Sequence, residues 1–440
     1  MSKTLSNQMV EWNAIPWHQL ERRVYKLQKR IFQASSRGDT KAVRSLQKTL
    51  MRSWSAKALA VRKVTQDNQG RNTAGVDGIK SLIPKKRLAL SVNLKLTNRV
   101  KPTRRVWIPK PGRDEKRPIS IPTMVDRATQ ALAKLALEPE WEAVFEVNNY
   151  GFRPGRSVHD AIEAIYISIN QKPKWVLDAD ISKCFDKINH KVLLEKINTF
   201  PTLKRLIKRW LESGVMDNYQ YSPTDEGVPQ GGVISPLLAN IALHGMEEEM
   251  NKIALSMKGN KSKNQRALTF VRYADDFLIL HPSNDVINQC KDRIQTWLEK
   301  VGLEFKPSKT RIGHTLQRPN NSDDTVIVGF DFLGFNVRQY KVGKTRSGKN
   351  AHSKVLGFKT LIKPNKEAIT RHYGRICEII DAYKSATQEA LIKHLNPIIR
   401  GWTNYYSTVV SKEVFSKLDH LVFLKLFRWA KRRHPKKQIK

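Results

Sequence analysis

The stretch VRYADDFLIL, residues 271–280, sets two adjacent acids between two runs of β-formers. Phe270 to Tyr273 and Phe277 to Leu280 read as the arms of a hairpin, with Asp275 and Asp276 at its tip. Asp favours turns for local reasons, so the pair alone decides little. A second stretch, WVLDADISKCF at 175–185, decides more. Asp178 and Asp180 share one face of that strand by its two-residue period, and the strand ends near Asp180. Three carboxylates converging at the end of a small sheet repel one another unless they bind hard cations. Mg²⁺ suits an all-oxygen set and commonly bridges carboxylates to phosphates. Two such ions, about 3.5–4 Å apart, support in-line displacement at phosphorus.

The composition agrees with a phosphate-bearing partner. The 440 residues carry 79 Lys plus Arg against 40 Asp plus Glu, a formal net charge of +39. An excess of that size answers a polyanion, with nucleic acid ahead of an anionic membrane. No run of about 18 apolar residues is present and the start, MSKTLSNQMVEW, has no apolar core, so the expectation is a soluble, cytoplasmic, nucleoprotein-associated protein without a membrane role. Cys184, Cys290 and Cys377 stand far apart with no C-x-x-C pair, which excludes a zinc site or disulfide framework and leaves buried free thiols. The eleven histidines have no ligand spacing.

Along the chain, residues 1–80 read as a basic helical N-terminal extension, with 14 basic and 4 acidic residues in the first 70, closed by the Gly-punctuated NTAGVDGI turn. Residues 101–122 alternate β-type pieces around a Pro/Gly/charged tip and read as a hairpin. Helices follow, with Ser157 as the N-cap of one of them. Strand, helix, strand pair, helix and strand after residue 174 give an α+β unit with an antiparallel sheet. The basic stretch 338–354 reads as a linker or flexible loop. Residues 364–434 read as three helices of a separate all-α unit, and 23 basic against 6 acidic residues from 341 onward turn it, too, towards a polyanion.

The ordered set of blocks carries a family resemblance. Asp180 followed by Phe185, VPQGGVISP (228–236), YADD (273–276), PSKT (307–310) and FLGF (332–335) occur in the order of the reverse transcriptase blocks. With AGVDGI, IPKPGRDEKRPISIP, YGFRPGRS and GWTNYY, the chain resembles group II intron-encoded reverse transcriptases and maturases from about residue 10 to 435. The resemblance implies a right-hand polymerase: fingers over 81–175, palm over 176–340, and a linker with a helical thumb, or maturase domain, over 341–440.

It also implies roles. Asp180, Asp275 and Asp276 would hold two Mg²⁺ ions, while Asp178 and Asp186 fall outside the family's metal positions and read as structural. Phe185 resembles the aromatic gate against a ribose 2′-hydroxyl. Gln230 and Gly231 would contact the incoming dNTP and template. Lys110 and Arg117 would clamp the triphosphate, with Arg113 or Lys116 as substitutes. Lys309 would face the active site. Arg153 and Arg156 would hold template phosphate or the fold of the fingers, two readings of equal weight. Trp402 reads as core, whereas Tyr405 and Tyr406 stay open between core and base stacking.

The implied partners are group II intron RNA, an RNA template, a DNA primer or target DNA, and dNTPs; the oligomeric state is not legible. Many relatives continue into a Cys/His-containing endonuclease. This sequence stops six residues after His434, so the expectation is no second-strand cleavage and priming from a pre-existing end. Two rivals stay open at this point. One is an RNA-binding splicing cofactor without polymerase activity, the other a reverse transcriptase of a defence or diversity-generating system.

Overall fold

The computed structural model describes residues 11–97, 99–109, 115–316, 327–350 and 352–434. In chain order come α1 (Trp17–Ser36), α2 (Thr40–Arg52), α3 (Trp54–Arg62) and α4 (Pro84–Asn93), then the hairpin β1 (Thr103–Pro109) and β2 (Lys116–Ile121). Next are α5 (Met124–Glu142), α6 (Val158–Ile169), β3 (Trp175–Asp180), α7 (Cys184–Lys187), α8 (His190–Ile197), α9 (Pro201–Leu211) and the short hairpin β4 (Val215–Asp217) and β5 (Gln220–Ser222). Helices α10 (Ser235–Leu243), α11 (Met246–Ser256) and α12 (Lys261–Ala267) lead to β6 (Thr269–Tyr273) and β7 (Asp276–His281). Then α13 (Asn284–Lys300), β8 (Arg311–His314), β9 (Ile327–Val328), β10 (Phe330–Phe332), β11 (Phe335–Lys341) and β12 (Phe358–Pro364) precede α14 (Lys366–Ala382), α15 (Gln388–Tyr406) and α16 (Lys412–Arg433).

This is a mixed α/β chain. The central sheet runs β6-β7-β3-β8-β9, antiparallel except for its β8–β9 edge, a small departure from the all-antiparallel expectation. Period-two alternation sorts its faces. Leu177, Ala179, Phe277 and Ile279 join the large core with α10 and α13, while Val176, Leu278 and Leu280 pack against α6 and the β10-β11-β12 sheet. The edge elements that frame the sheet are α6, capped by a reciprocal Ser157–Asp160 box, and the hairpin β1–β2, whose β1 pairs in parallel with β4.

The basic N-terminal helices pack into the body of the protein: Leu20, Val24, Ile31 and Leu50 are buried in the large core, and Arg44 pairs with Glu140 of α5 at 2.7 Å. The basic stretch 338–354 is not an interdomain linker. Residues to Lys341 belong to β11, and the remainder closes the β11–β12 hairpin, because Tyr340 and Lys341 pair with Lys359 and Phe358. The three C-terminal helices stand where their periodicity put them, around a core of Ile376, Ile379, Ile380, Leu391 and Leu395. Among the described residues no helix is long and apolar enough to cross a membrane.

Lys174 roots β3. It is 4% exposed, and its ammonium donates to Ser168 Oγ, the Ala267 carbonyl and Thr269 Oγ1 at 3.0, 2.8 and 3.1 Å. Burial pulls its pKa from the ordinary 10.5 to about 8. The unfolded chain then holds this proton more tightly, so the residue's penalty is fully present below pH 8 and fades as pH rises towards 10.5. Urea unfolding of the natural chain should therefore gain up to about 3 kcal/mol relative to Lys174→Met across that window. A difference that stays flat from pH 7.5 to 10 would refute the burial penalty.

Candidate active site

The hairpin forms as the sequence predicts, with a two-residue turn. Asp276 opens β7 opposite Tyr273 and also pairs in register with Asp180 at the end of β3. Ala274 takes a left-handed φ of +59°, which turns the chain tightly enough to bring Asp275 and Asp276 beside Asp180. Burial first, then Asp180, pushes the Asp275 carboxyl up; burial, then Asp275 and Asp180, pushes Asp276 up to about 7. Lys309, on a short 3₁₀ turn before β8, answers them, its Nζ 2.6 Å from Asp180 Oδ2.

Asp180 and Asp276 open into a cleft of about 600 Å³, whose lining also includes Asp178, Lys309, Arg311 and Arg371. Asp178 therefore lies in the same cleft, pushed to about 7 by burial and then by Asp276, with Arg311 opposite it in the register. Among the described residues no three acid, histidine or cysteine side chains are already drawn together tightly enough to hold a metal ion. The donor chemistry still fits one. Asp180, Asp275 and Asp276 offer only carboxylate oxygens, which hard cations prefer, and their mutual repulsion is a cost that a divalent cation would remove.

The loop 228–234 links the β1–β2 hairpin to α7. The Ser120 amide donates to the Gln230 carbonyl, and Val228 N donates to the Phe185 carbonyl. Gly231 has φ +112°, and a Cβ there would lie 2.8 Å from Ile119 Cγ2 and 2.9 Å from the Ser120 oxygen. Gly231→Ala should therefore lift this loop off β2, costing roughly 1–3 kcal/mol of local strain, read as a lower unfolding free energy and faster hydrogen exchange at the Ser120 amide. Unchanged stability and exchange would show that the loop tolerates the shift. Phe185, half-buried on α7, faces Phe152 edge-on with ring centroids 6.3 Å apart. Arg117 is exposed on β2, near enough for its charge to pull Asp275 down against the larger upward push. Lys110 and Arg113 lie outside the described residues; Lys116 is exposed at the start of β2.

Three residues left open between a nucleic-acid contact and a structural place are built into the fold. Arg153 is 9% exposed, paired with Glu142 at 2.9 Å and donating to the Glu146 and Asn149 carbonyls, so its fork is used up inside the protein. Tyr406 is 3% exposed, and its hydroxyl donates to the Gly334 carbonyl, which leaves no ring face for a base. Tyr405 is half-buried and donates to the Leu333 carbonyl at 3.0 Å, so both tyrosines fasten α15 to the FLGF turn. Trp402 is also packed, stacked on His372 at 4.5 Å. Arg156 remains exposed, its guanidinium over the Tyr150 ring.

Sequence reasoning passed over Arg272. It is fully buried directly before the turn, donating to Asn240 Oδ1 and the Ala274 carbonyl at 3.2 Å each, with Glu146 Oε2 3.8 Å from its other nitrogen. The signal was present as a lone cation inside a run of β-formers.

Residues 108–358 match the family model described as reverse transcriptase (RNA-dependent DNA polymerase), residues 12–94 the N-terminal domain of reverse transcriptase, and residues 369–440 the group II intron maturase-specific domain. Among relatives, protein YkfC of Escherichia coli is 31% identical over 319 residues, 64% of this chain and 80% of YkfC. The group II intron-encoded protein LtrA of Lactococcus lactis is 28% identical over 391 residues, 73% of this chain and 63% of LtrA, so the chain spans less than two thirds of that relative. Maturase-like protein 1 of Euglena gracilis is 26% identical over 406 residues, 89% of this chain and 76% of the relative. The main match spans more than half of the chain and contains Asp180, Asp275, Asp276, Phe185 and the FLGF turn, and a group II intron maturase-specific domain follows it: this protein belongs to the reverse transcriptase family.

Proposed function

We propose that this protein is an RNA-dependent DNA polymerase that also binds its intron RNA as a maturase. The observation that carries the polymerase reading is the pairing of Asp180 and Asp276 in the wall of an open cleft, with Asp275 next to them in the turn and Lys309 paired to Asp180. The fold reads as a right hand, with β1–β2 in the fingers, β3 and β6–β8 in the palm and α14–α16 as the thumb. Asp180, Asp275 and Asp276 would hold two Mg²⁺ ions, which supply Lewis-acid activation of a primer 3′-hydroxyl and of the leaving pyrophosphate. Arg117, with Lys110, grips the triphosphate of a dNTP; the Gln230–Gly231 backbone bounds the nucleotide from the side of β2. Phe185 lies under the sugar and excludes a 2′-hydroxyl. Lys309 keeps the Asp180 carboxylate oriented and neutralised until substrate arrives.

The maturase reading rests on the matched maturase-specific domain and the net charge of +39. Binding that prefers the folded intron stabilises it by linkage, while the RNA carries out splicing. Mobility would then proceed by target-primed synthesis on a DNA end. The testing experiment is extension of a DNA primer on an RNA template with dNTPs and Mg²⁺. DNA product supports the polymerase. RNA binding without any product would overturn it in favour of a splicing cofactor.

A further inference from the structure

Phe152 stands at φ +60°, in the left-handed region that bulky side chains rarely adopt. Both neighbours hold it there. The Gly151 carbonyl accepts from the buried Asn240 amide at 2.7 Å, and a Cβ on Gly151 would run into the backbone nitrogen of Ala274 in the catalytic turn. On the other side, Arg153 is pinned by Glu142, Glu146 and Asn149. Strain of this kind persists only where the surroundings over-determine it, and it gathers at functional sites.

The ring thus fixed does not enter the core. Phe152 is 45% exposed and meets Phe185 edge-on, the rings 80° apart with centroids at 6.3 Å, within the range of favourable aromatic pairs. Phe185 itself is held by its backbone, through Val228 N, while its ring is steadied from the side by Phe152. Resting on the reading of Phe185 as the sugar gate, we infer that Phe152 is a positioning residue for sugar selection: it sets the plane of the Phe185 ring and so the space left for a ribose 2′-hydroxyl. The anchoring of Gly151 on the catalytic turn ties that plane to the position of Asp275 and Asp276.

The test is the ratio of kcat/KM for a dNTP to that for the matching rNTP, measured for Phe152→Gly, Phe185→Ala and the double variant. Glycine accepts φ +60°, so Phe152→Gly removes the ring and keeps the backbone path. Loss of folded protein cancels in the ratio. Phe152→Gly should lower the ratio about tenfold, Phe185→Ala further, and the double variant no further than Phe185→Ala alone. A fall with Phe185→Ala but none with Phe152→Gly would overturn this inference and leave the gate in place. No fall with either would remove the gate reading and this inference with it. Additive falls would show an independent sugar contact by Phe152 and overturn the positioning role.

Discussion

Asp275→Ala/Asp276→Ala will abolish primer extension while RNA binding survives. On the proposed two-metal reading each acid would supply oxygen ligands to a Mg²⁺ ion where the transition state gains negative charge, and such stabilisation is worth several kcal/mol. At about 1.4 kcal/mol per factor of ten, even one lost carboxylate costs roughly two to three orders of magnitude in kcat. Binding should be spared, because removing two acids makes a strongly basic surface more attractive to phosphate, not less. The fold should survive as well. Burial and repulsion push both carboxyls up, so their removal relieves a cost within the protein. Single-turnover extension beside filter binding to the same RNA checks both halves. Extension within tenfold of the natural chain would detach these acids from the chemistry.

The acids were legible because two independent regularities agreed. The two-residue period put Asp178 and Asp180 on one face, and the β-formers around Asp275 and Asp276 drew the hairpin that pairs Asp276 with Asp180. Block order added the roles proposed for Phe185, Gln230, Gly231 and Lys309. What stayed hidden was direction. A Gly/Pro/Arg loop contains arginines that point inward and outward alike, and only the fold shows that Arg153 faces Glu142 while Arg156 faces solvent. Tyr405 and Tyr406 fit a stacking surface and a core equally well on a helix. Their hydroxyls reach carbonyls 72 residues away, a pairing that helical spacing cannot reveal. The basic stretch 338–354 stayed open between linker and loop because hairpin loops and linkers share one composition of Gly, Ser and Lys. The pairing of Tyr340 with Lys359, which identifies it as a hairpin, is a property of the partner strand.

Arg272→Leu will cost about 3–5 kcal/mol of stability and most of the polymerase activity. The stability term comes from what the leucine leaves behind. Glu146 has one oxygen bonded to the Gly245 and Glu247 amides at 2.8 Å, while the other faces Arg272 and His244, each at 3.8 Å. Burial pushes the Glu146 carboxyl up, but His244 and Arg272 together hold it below its ordinary value. Without the guanidinium, the buried carboxylate loses a cation 3.8 Å away and keeps only the more remote charge of Lys196. The activity term comes from the turn. The guanidinium donates to the Ala274 carbonyl and to Asn240, while the Arg272 backbone exchanges hydrogen bonds with Asn148 and Tyr150. The left-handed Ala274, and with it Asp275 and Asp276, is thus braced from beneath by one side chain. Arg272→Lys separates the two terms. A lysine keeps a positive charge near Glu146 but lacks the fork needed to reach Glu146 and the Ala274 carbonyl together. It should recover part of the unfolding free energy and little of the kcat. Hydrogen exchange of the 272–277 amides should then quicken in Arg272→Lys while α5 and α10 stay protected. Full recovery of kcat by lysine would assign Arg272 to charge balance alone.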